Sequence, residues 1–118
     1  MALFAMKFEA KKKKVPKPGR PVRGSASGRP VMVLLDLLGR RWALRVIWVL
    51  RDEKRLNFRE LLSACAISPS VLNTRLAELR VNAIVEHSPD GYSLTPIGRD
   101  LLDKLMPLHE WAESWSRS

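Results

Sequence analysis

The stretch FRELLSACAISPSVLNTRLAELR, residues 58–80, contains two short apolar repeats joined by small and polar residues. The first repeat is typical of a short helix and consists of Phe58, Leu61 and Leu62. Ser68 and Pro69 then form a strong start signal, because serine caps a helix N-terminus and proline suits the first helical position. The second helix has one apolar stripe, formed by Leu72, Leu76 and Leu79. Two short helices joined by a tight turn predict a helix-turn-helix.

A β-hairpin and a long helix are predicted on the C-terminal side of this motif. Residues 85–87 and 92–94 alternate apolar and polar side chains, as strands do. Residues 88–91, Ser-Pro-Asp-Gly, are typical of a turn, since proline suits its second position and glycine accepts a positive φ. Thr95 and Pro96 repeat the cap-and-proline signal and begin a helix with one apolar stripe. That stripe consists of Ile97, Leu101, Leu105, Leu108, Ala112 and Trp115.

Two further helices are predicted on the N-terminal side. The first ends at Gly39, and its buried face consists of Val31, Leu34, Leu35 and Leu38. Residues 42–50 are apolar on nearly every side, which is typical of a central, buried helix, and we assign Trp42 and Trp48 to the core. A short strand is predicted around residues 55–57. The predicted fold class is therefore mainly α with a small β-hairpin, a winged helix-turn-helix.

Positive charge is concentrated in the first quarter of the chain. The 118 residues contain 21 Lys and Arg against 12 Asp and Glu, a formal net charge of +9. Residues 1–30 hold nine of these basic residues, a single Glu and half of the prolines and glycines. Such a composition cannot bury enough apolar surface to offset the entropy of ordering. We predict a disordered basic N-terminal tail over residues 1–29 and a winged-helix domain over residues 30–118.

This charge balance predicts a polyanionic partner, either nucleic acid or an anionic membrane surface. No apolar run approaches the ~20 residues that span a bilayer, and we expect no membrane partner. The N-terminus lacks the apolar stretch of a secretory signal, and a single cysteine is typical of a cytosolic protein. The sequence therefore predicts a cytoplasmic, nucleoid-associated protein.

Residue types suited to catalysis or metal binding are scattered along the chain. Cys65 has no His, Cys or Lys close in sequence, which favours a small buried hydrophobic role over a thiol switch. His87 and His109 are isolated, and no spacing typical of a zinc site occurs. Asp100 and Asp103 lie on the polar face of the long helix, and no phosphate-binding glycine loop or nucleophile elbow is found. We expect no enzymatic activity, no metal and no cofactor.

The order of these elements and several local motifs resemble the HxlR-type family of transcription regulators. The resemblance extends from Pro30 to Trp111, about the whole predicted domain. The matching motifs are LLGRRW at 37–42, FREL at 58–61, ISPSVL at 67–72, RLAEL at 75–79, YSLTPIGR at 92–99 and LHEW at 108–111. The resemblance implies a dimeric regulator that binds duplex DNA, with the helix from Pro69 as the recognition helix. It also implies that the terminal helices pair across the dimer.

Three positions depart from the pattern of this family. Many relatives carry a cysteine just before the proline that precedes the first helix, whereas this chain has Arg29, so redox sensing through that cysteine is not available. The hairpin tip, or wing, is usually longer and basic, whereas residues 88–91 hold no basic residue. This difference puts minor-groove contacts of the wing in doubt. Relatives commonly have glycine at the place of Ala83, and Asn82 is predicted to take the left-handed turn instead.

The recognition helix supplies the first set of DNA-binding residues. Opposite its apolar stripe it presents small or amide-bearing residues that can approach base edges in a major groove, namely Ser70, Asn73, Thr74 and Ala77. Arg75 lies at the flank of this face, where it could reach a phosphate or a guanine. Ser68 and Ser70 are at the helix N-terminus, a natural phosphate site. The alternative is the solvated polar face of an ordinary helix.

The tail supplies a second set. The run Lys11, Lys12, Lys13 and Lys14 can neutralise phosphates without sequence preference. Arg20 and Arg29 each stand in a Gly-Arg-Pro tripeptide, which resembles in part the core of an AT-hook, an element that lays arginine in a narrow A·T minor groove. The alternative is a solubilising tail that is merely attracted to polyanions.

The long helix is expected to form the dimer interface through Leu105, Leu108, Trp111 and Trp115, because an exposed apolar stripe of this size usually marks an interface. Packing within the monomer is the alternative. We predict a homodimeric, sequence-specific transcriptional regulator of double-stranded DNA, with the recognition helix in the major groove. The rival hypotheses are an architectural, nucleoid-type protein and a winged-helix adaptor that binds another protein. No residue pattern identifies a small-molecule effector.

Overall fold

The computed structural model describes residues 15–118, in which five helices and one antiparallel hairpin occur. The helices are α1 (Pro30–Leu38), α2 (Ala43–Val49), α3 (Phe58–Cys65), α4 (Pro69–Val81) and α5 (Pro96–Ser116), and the strands are β1 (Val85–Ser88) and β2 (Gly91–Leu94). This order confirms the predicted winged helix-turn-helix. The predicted phosphate-binding run Lys11–Lys14 lies outside the described residues.

The helix-turn-helix begins and ends at residues with specific local chemistry. Asn57 and Glu60 form a capping box at the start of α3, in which each side chain accepts a hydrogen bond from the other residue's backbone N–H. Ala66 ends α3 in the left-handed conformation, at φ 55°. Ser68 caps α4 by accepting a hydrogen bond from the Val71 N–H at 3.3 Å. These caps fix where α4 begins, and hence which of its residues face outward.

Helix α2 is the centre of the core. Val46 and Ile47 of α2 are fully buried, and so is Leu50, which directly follows the helix. Helix α2 contacts all four other helices. The core also includes Leu61 and Cys65 of α3, and the apolar stripe of α4 is buried against it, as predicted. Each such buried side chain contributes roughly 1.5–3 kcal/mol by leaving water.

Two tryptophans assigned to the core are not fully inside it. Trp48 is exposed, with the Arg51 guanidinium 4.3 Å from its ring centroid. Trp42 is half-buried, with the guanidinium of Arg45 at 4.5 Å from its ring centroid. A short helix that is apolar on nearly every side has more apolar surface than its neighbours cover. Arginine guanidinium groups stack on the indole rings that remain partly exposed.

The buried face of α1 differs from the predicted one. The structure buries Val33 and Leu37, whereas Val31 and Leu35 are 59% and 58% exposed. Only Asp36 is charged in this helix, so that its apolar residues fit more than one face and periodicity alone does not select between them. The exposed Val31 and Leu35 leave an apolar strip on the surface of α1.

A third, short extended segment pairs with the hairpin. Val85 pairs with Leu94 and Ser88 pairs with Gly91 across β1 and β2. Leu56, in the segment predicted as a strand, forms an isolated antiparallel bridge with Tyr92, with N–O distances of 3.0 and 2.7 Å. The segment before α3 is therefore attached to the wing by backbone hydrogen bonds.

The first described residues, 15–17, belong to the predicted basic tail and contact the domain. Val15 and Pro16 are buried, and the Asn82 side chain donates a hydrogen bond to the Pro16 carbonyl oxygen at 2.8 Å. The Lys17 ammonium group donates to the Val81 carbonyl oxygen at 3.1 Å. These partners are carbonyl and amide groups at the C-terminal end of α4, where a cation is also favoured by the helix dipole. Composition could not reveal them, because they belong to another part of the chain.

The turn after α4 also differs in detail. Asn82 has a φ of −93°, and Ala83 takes the left-handed conformation at φ 58°. The Asn82 side chain donates hydrogen bonds to the carbonyl oxygens of Pro16 and Glu78, and the neighbouring Ala83 makes the left-handed turn.

The first turn of α5 is joined closely to the base of the hairpin. The Thr95 hydroxyl accepts a hydrogen bond from the Gly98 N–H at 2.9 Å and contacts the carbonyl oxygens of Ala83 and Ile84. A Cβ atom at position 98 would overlap the Ile84 carbonyl oxygen. Glycine is therefore required at this position by the close approach of two backbones.

Gly98→Ala is expected to lower the free energy of unfolding by on the order of 1–3 kcal/mol, because the added methyl group pushes α5 away from Ile84. Urea denaturation checks this value. The exposed Ala112 of the same helix offers a matched control: Ala112→Gly should cost about 1 kcal/mol through helix propensity. A gain in stability for Gly98→Ala would contradict the steric explanation.

Candidate nucleic-acid interface

Helix α4 exposes one polar face. The structure buries its apolar stripe and leaves exposed the predicted contact residues Ser68, Ser70, Asn73 and Thr74, together with Ala77. The face carries no charged group among these five residues. It can therefore approach the edges of bases closely without the desolvation cost of a buried charge.

The polar groups on this face differ in which hydrogen-bond donors and acceptors remain free for a ligand. Thr74 donates its hydroxyl hydrogen to the Ser70 carbonyl oxygen at 3.0 Å, so that its oxygen lone pairs face outward. The Ser68 hydroxyl is engaged as the helix cap. Within the part of the chain that the structure describes, the Asn73 amide makes no hydrogen bond. Asn73 is thus the longest group of this face with both its donor and its acceptor at the disposal of a base edge.

Arg75 lies at the flank of this face, as predicted, and its side chain is engaged within the domain. Its side chain is mostly buried, and its Nε donates to the Arg41 carbonyl oxygen at 2.7 Å. One of its terminal nitrogens donates to a Glu78 carboxylate oxygen. Arg75 therefore braces α4 against the connection between α1 and α2. Glu78 follows three residues later on the same helix, a spacing at which side chains meet, so the sequence could have indicated this pair. The contact with the Arg41 carbonyl oxygen could not be inferred, because Arg41 lies in another segment.

Glu78 is the buried centre of this bracing cluster. It is 4% exposed, and its two carboxylate oxygens accept hydrogen bonds from Arg40 and Arg75, respectively. Arg40 also lies 3.4 Å from Asp36 of α1. Two guanidinium groups around one carboxylate repay much of the cost of burying its charge. The cluster links α1, the α1–α2 connection and α4.

The wing lies beside the exposed face of α4. Residues from the wing, the start of α3 and α4 line a cavity of about 320 Å³, among them Asn73, His87, Pro89 and Tyr92. The His87 and Tyr92 rings stack with their centroids 4.0 Å apart. A cleft between α4 and the wing thus opens on the side to which Asn73 belongs.

One charged residue near the wing was not predicted to take part in the site. The Arg55 guanidinium lies 3.3 Å from the Asp90 carboxylate in the hairpin turn. Position 55 is 35 residues away from Asp90 along the chain, and the predicted short strand at 55–57 was the only sequence signal that could have brought it there.

The two Gly-Arg-Pro tripeptides lie together. The Gly19 N–H donates to the Gly28 carbonyl oxygen at 3.1 Å, and Gly28 packs directly against the backbone of Arg20. Arg20 and Arg29 are both exposed, and Arg29 precedes the first residue of α1. Glycine is needed at position 28, since its φ is +70° and a Cβ atom there would overlap the Arg20 backbone.

The end of α5 presents large apolar side chains to solvent. Trp111 and Trp115 are 61% and 66% exposed, and their rings stack with centroids 5.8 Å apart. Leu108 is exposed as well, and Leu105 is half-buried. Together with Val31 and Leu35 of α1, these residues form two apolar strips on the surface of the domain.

Cys65 is fully buried in the core. Burial raises the pKa of its thiol, an effect that the Arg45 charge only partly opposes. The predicted hydrophobic role of Cys65 agrees with this placement. Over residues 15–118 no cluster of potential metal ligands is found, and no helix in that range could cross a bilayer.

Comparison with known proteins places the domain among transcription regulators. A family model described as HxlR-like helix-turn-helix matches residues 37–118. The chain is 32% identical over 95 residues to the HTH-type transcriptional regulator YybR of Bacillus subtilis (strain 168), covering 74% of this chain and 75% of that protein. It is 30% identical over 90 residues to YdzF of the same organism, another HTH-type transcriptional regulator, covering 70% and 83%.

Solved structures share the fold. Quinone-bound YodB from B. subtilis superposes with a TM-score of 0.68 at 32% identity, covering 72% of this chain and 97% of that one. A protein described as a possible HxlR family transcriptional factor from Thermoplasma volcanium GSS1 superposes with a TM-score of 0.62 at 31% identity, covering 72% and 83%.

Glu78→Gln is expected to lower the free energy of unfolding by roughly 1–3 kcal/mol, because the amide nitrogen would face a guanidinium group and leave it without an acceptor. Chemical denaturation measures the change. Asp100→Asn is the matched control, since Asp100 forms an exposed pair with Lys104 and should change stability by less than about 0.5 kcal/mol. Equal effects of the two substitutions would argue against a bracing role for Glu78.

Proposed function

The chain belongs to the HxlR-like helix-turn-helix family of transcriptional regulators, and we propose that it binds a specific double-stranded DNA sequence as a homodimer. The observation that carries this proposal is the uncharged, exposed face of α4, which stands opposite a fully buried stripe and next to the wing. A major groove about 12 Å wide admits a helix that presents such a face.

The roles of the residues on α4 follow from their positions. Asn73 is proposed to read a base, with adenine as the favoured partner of a bidentate amide. Ser70 and Thr74 lie on the same side and contact base edges or the sugar-phosphate backbone. Ser68 and the first turn of α4 face a phosphate, which the N-terminal end of a helix dipole attracts. Arg75 supports the helix through Glu78 and Arg41 rather than contacting a base.

The basic tail is proposed to add affinity. The run Lys11–Lys14 would neutralise phosphates, a contribution that falls steeply with salt concentration. Arg20 and Arg29 are exposed and adjacent in the folded segment, so that both can reach the same stretch of DNA. An arginine of this kind in an A·T minor groove would add preference for the flanking sequence.

The dimer is proposed to form through the apolar end of α5. Leu105, Leu108, Trp111 and Trp115 provide aromatic and aliphatic anchors that have few partners within one subunit. Two recognition helices related by a twofold axis would enter major grooves one helical turn apart, about 34 Å.

Selection from random duplexes with the full chain tests the function as a whole. We expect an enriched pseudo-palindrome, because a twofold dimer reads two inverted half-sites. Tight binding without any enriched sequence would favour an architectural DNA-binding protein. Absence of binding to duplex DNA would favour an adaptor that contacts another protein.

Asn73→Ala is expected to weaken binding to the selected site by about 1–3 kcal/mol and to random DNA much less, because only base readout distinguishes the two. Fluorescence anisotropy on both duplexes measures the difference. Ser114→Ala on the exposed part of α5 serves as the control and should change neither value. Equal losses on both duplexes would remove Asn73 from base readout.

Trp111→Ala combined with Trp115→Ala is expected to give monomers, since buried aromatic anchors dominate protein interfaces. Sedimentation velocity of the variant and the parent protein measures the mass. Glu110→Ala combined with Glu113→Ala, on the same two turns of α5, should leave the dimer intact. An unchanged dimer mass for the tryptophan variant would refute this interface.

A further inference from the structure

The wing of this domain carries the opposite charge from the one that DNA favours. Its turn, residues 88–91, contains Asp90 as the sole charged residue. Asp90 is 75% exposed, and a carboxylate at the tip of a wing would face the negative phosphates beside the groove that α4 occupies. Coulomb repulsion of this kind weakens binding to every DNA sequence.

Arg55 lies at this tip and neutralises Asp90. Its guanidinium approaches the Asp90 carboxylate to 3.3 Å, and the Arg55 side chain is 57% exposed. Solvent-exposed pairs of this kind contribute little to stability. The Arg55 guanidinium can therefore leave Asp90 for a stronger anionic partner at small cost.

The position of Arg55 is fixed by the backbone rather than by this ion pair. Leu56 exchanges two backbone hydrogen bonds with Tyr92 of β2. Gly91 has a φ of +123°, and a Cβ atom there would lie 2.7 Å from the Leu56 carbonyl oxygen. Because glycine permits this close approach, residue 55 is held beside the wing tip whether or not Asp90 is its partner.

The tip and the recognition face belong to the same side of the domain. Asn73 of α4 lines one cavity together with Asn57, which directly follows the Arg55–Leu56 segment, and with Ser88, Pro89 and Gly91 of the wing. When α4 enters a major groove, the wing tip comes to the sugar-phosphate backbone that borders that groove.

We propose that Arg55 is the phosphate-binding cation of the wing, and that on DNA binding its guanidinium exchanges Asp90 for a backbone phosphate. This inference rests on the proposed DNA-binding function. The planar guanidinium matches a phosphate with two parallel hydrogen bonds. Asp90 holds the guanidinium at the tip in the free protein and opposes DNA of any sequence. The wing thus obtains its positive charge from a segment that precedes α3.

Four variants of the full chain test this exchange: Arg55→Gln, Arg55→Lys, Asp90→Asn and Lys104→Gln. Lys104 is the matched control, because it forms an exposed ion pair of the same type with Asp100 on α5, away from the wing. Anisotropy titrations on one duplex over a salt series give the affinity and the slope of log K against log[salt] for each variant. The basic tail is identical in all of them, so that its contribution cancels.

Arg55→Gln is expected to weaken binding about tenfold per subunit at 0.1 M salt and to reduce the slope by about one unit per subunit. Arg55→Lys keeps the charge and should retain the slope. Asp90→Asn should tighten binding severalfold on selected and random duplexes alike, and Lys104→Gln should leave affinity and slope close to those of the parent protein. Both Arg55 and Asp90 are exposed, and thermal unfolding of each variant verifies that the fold is intact.

Three outcomes would overturn the proposal. If the parent chain binds DNA and Arg55→Gln leaves affinity and slope unchanged, Arg55 makes no phosphate contact, whereas the proposed function stands. If Arg55→Gln weakens binding but Asp90→Asn does not tighten it, the exchange between carboxylate and phosphate does not occur. If the parent chain binds no duplex DNA, the proposed function fails together with this inference.

Discussion

The ion pairs of the buried Glu78 carboxylate are the interaction on which the placement of α4 depends. A charge this deep in the domain needs full compensation, and Arg40 and Arg75 supply it from two directions. These ion pairs join the connection after α1 to α4 and engage Arg75, which flanks the exposed face of α4. The exposed face of α4 is left polar and uncharged, which suits discrimination between bases more than attraction to phosphates.

The main elements of the fold could be predicted from local chemistry. The serine and proline at positions 68 and 69, the turn at 88–91 and the threonine and proline at 95 and 96 each mark a boundary that the structure confirms. Prediction failed where local patterns leave a choice. In α1 nearly every residue is apolar, so that its buried face is decided by the helices around it. The contacts of Pro16 and Lys17 with the end of α4 depend on residues far along the chain, which the tail sequence alone does not reveal.

In the candidate site, too, local patterns predicted some features and tertiary contacts decided the others. The exposed side of α4 follows from helical periodicity, and the structure exposes Ser68, Ser70, Asn73 and Thr74 as predicted. Periodicity places Arg75 at the flank of this face but does not show its contact with the Arg41 carbonyl oxygen, which belongs to another segment of the chain. It also could not reveal Arg55, since the contact with Asp90 joins residues far apart in sequence. Charged side chains with long reach are placed by tertiary structure, whereas small polar ones on a regular helix are placed by geometry.

The tight contact between Gly98 and Ile84 fixes the first turn of α5 against the base of the wing, while the rest of this long helix extends away from it. Trp115 lies 17 residues beyond Gly98, which corresponds to about 25 Å along a helix. Because the helix is held at Gly98, a tilt of α5 by about 5° about this point displaces the tryptophans by about 2 Å. In the proposed homodimer, the angle at which two copies of α5 cross would set the distance between their two wings. The spacing of the two proposed DNA contacts would then depend on the close approach of Gly98 to Ile84, at a residue outside both the exposed face of α4 and the apolar end of α5.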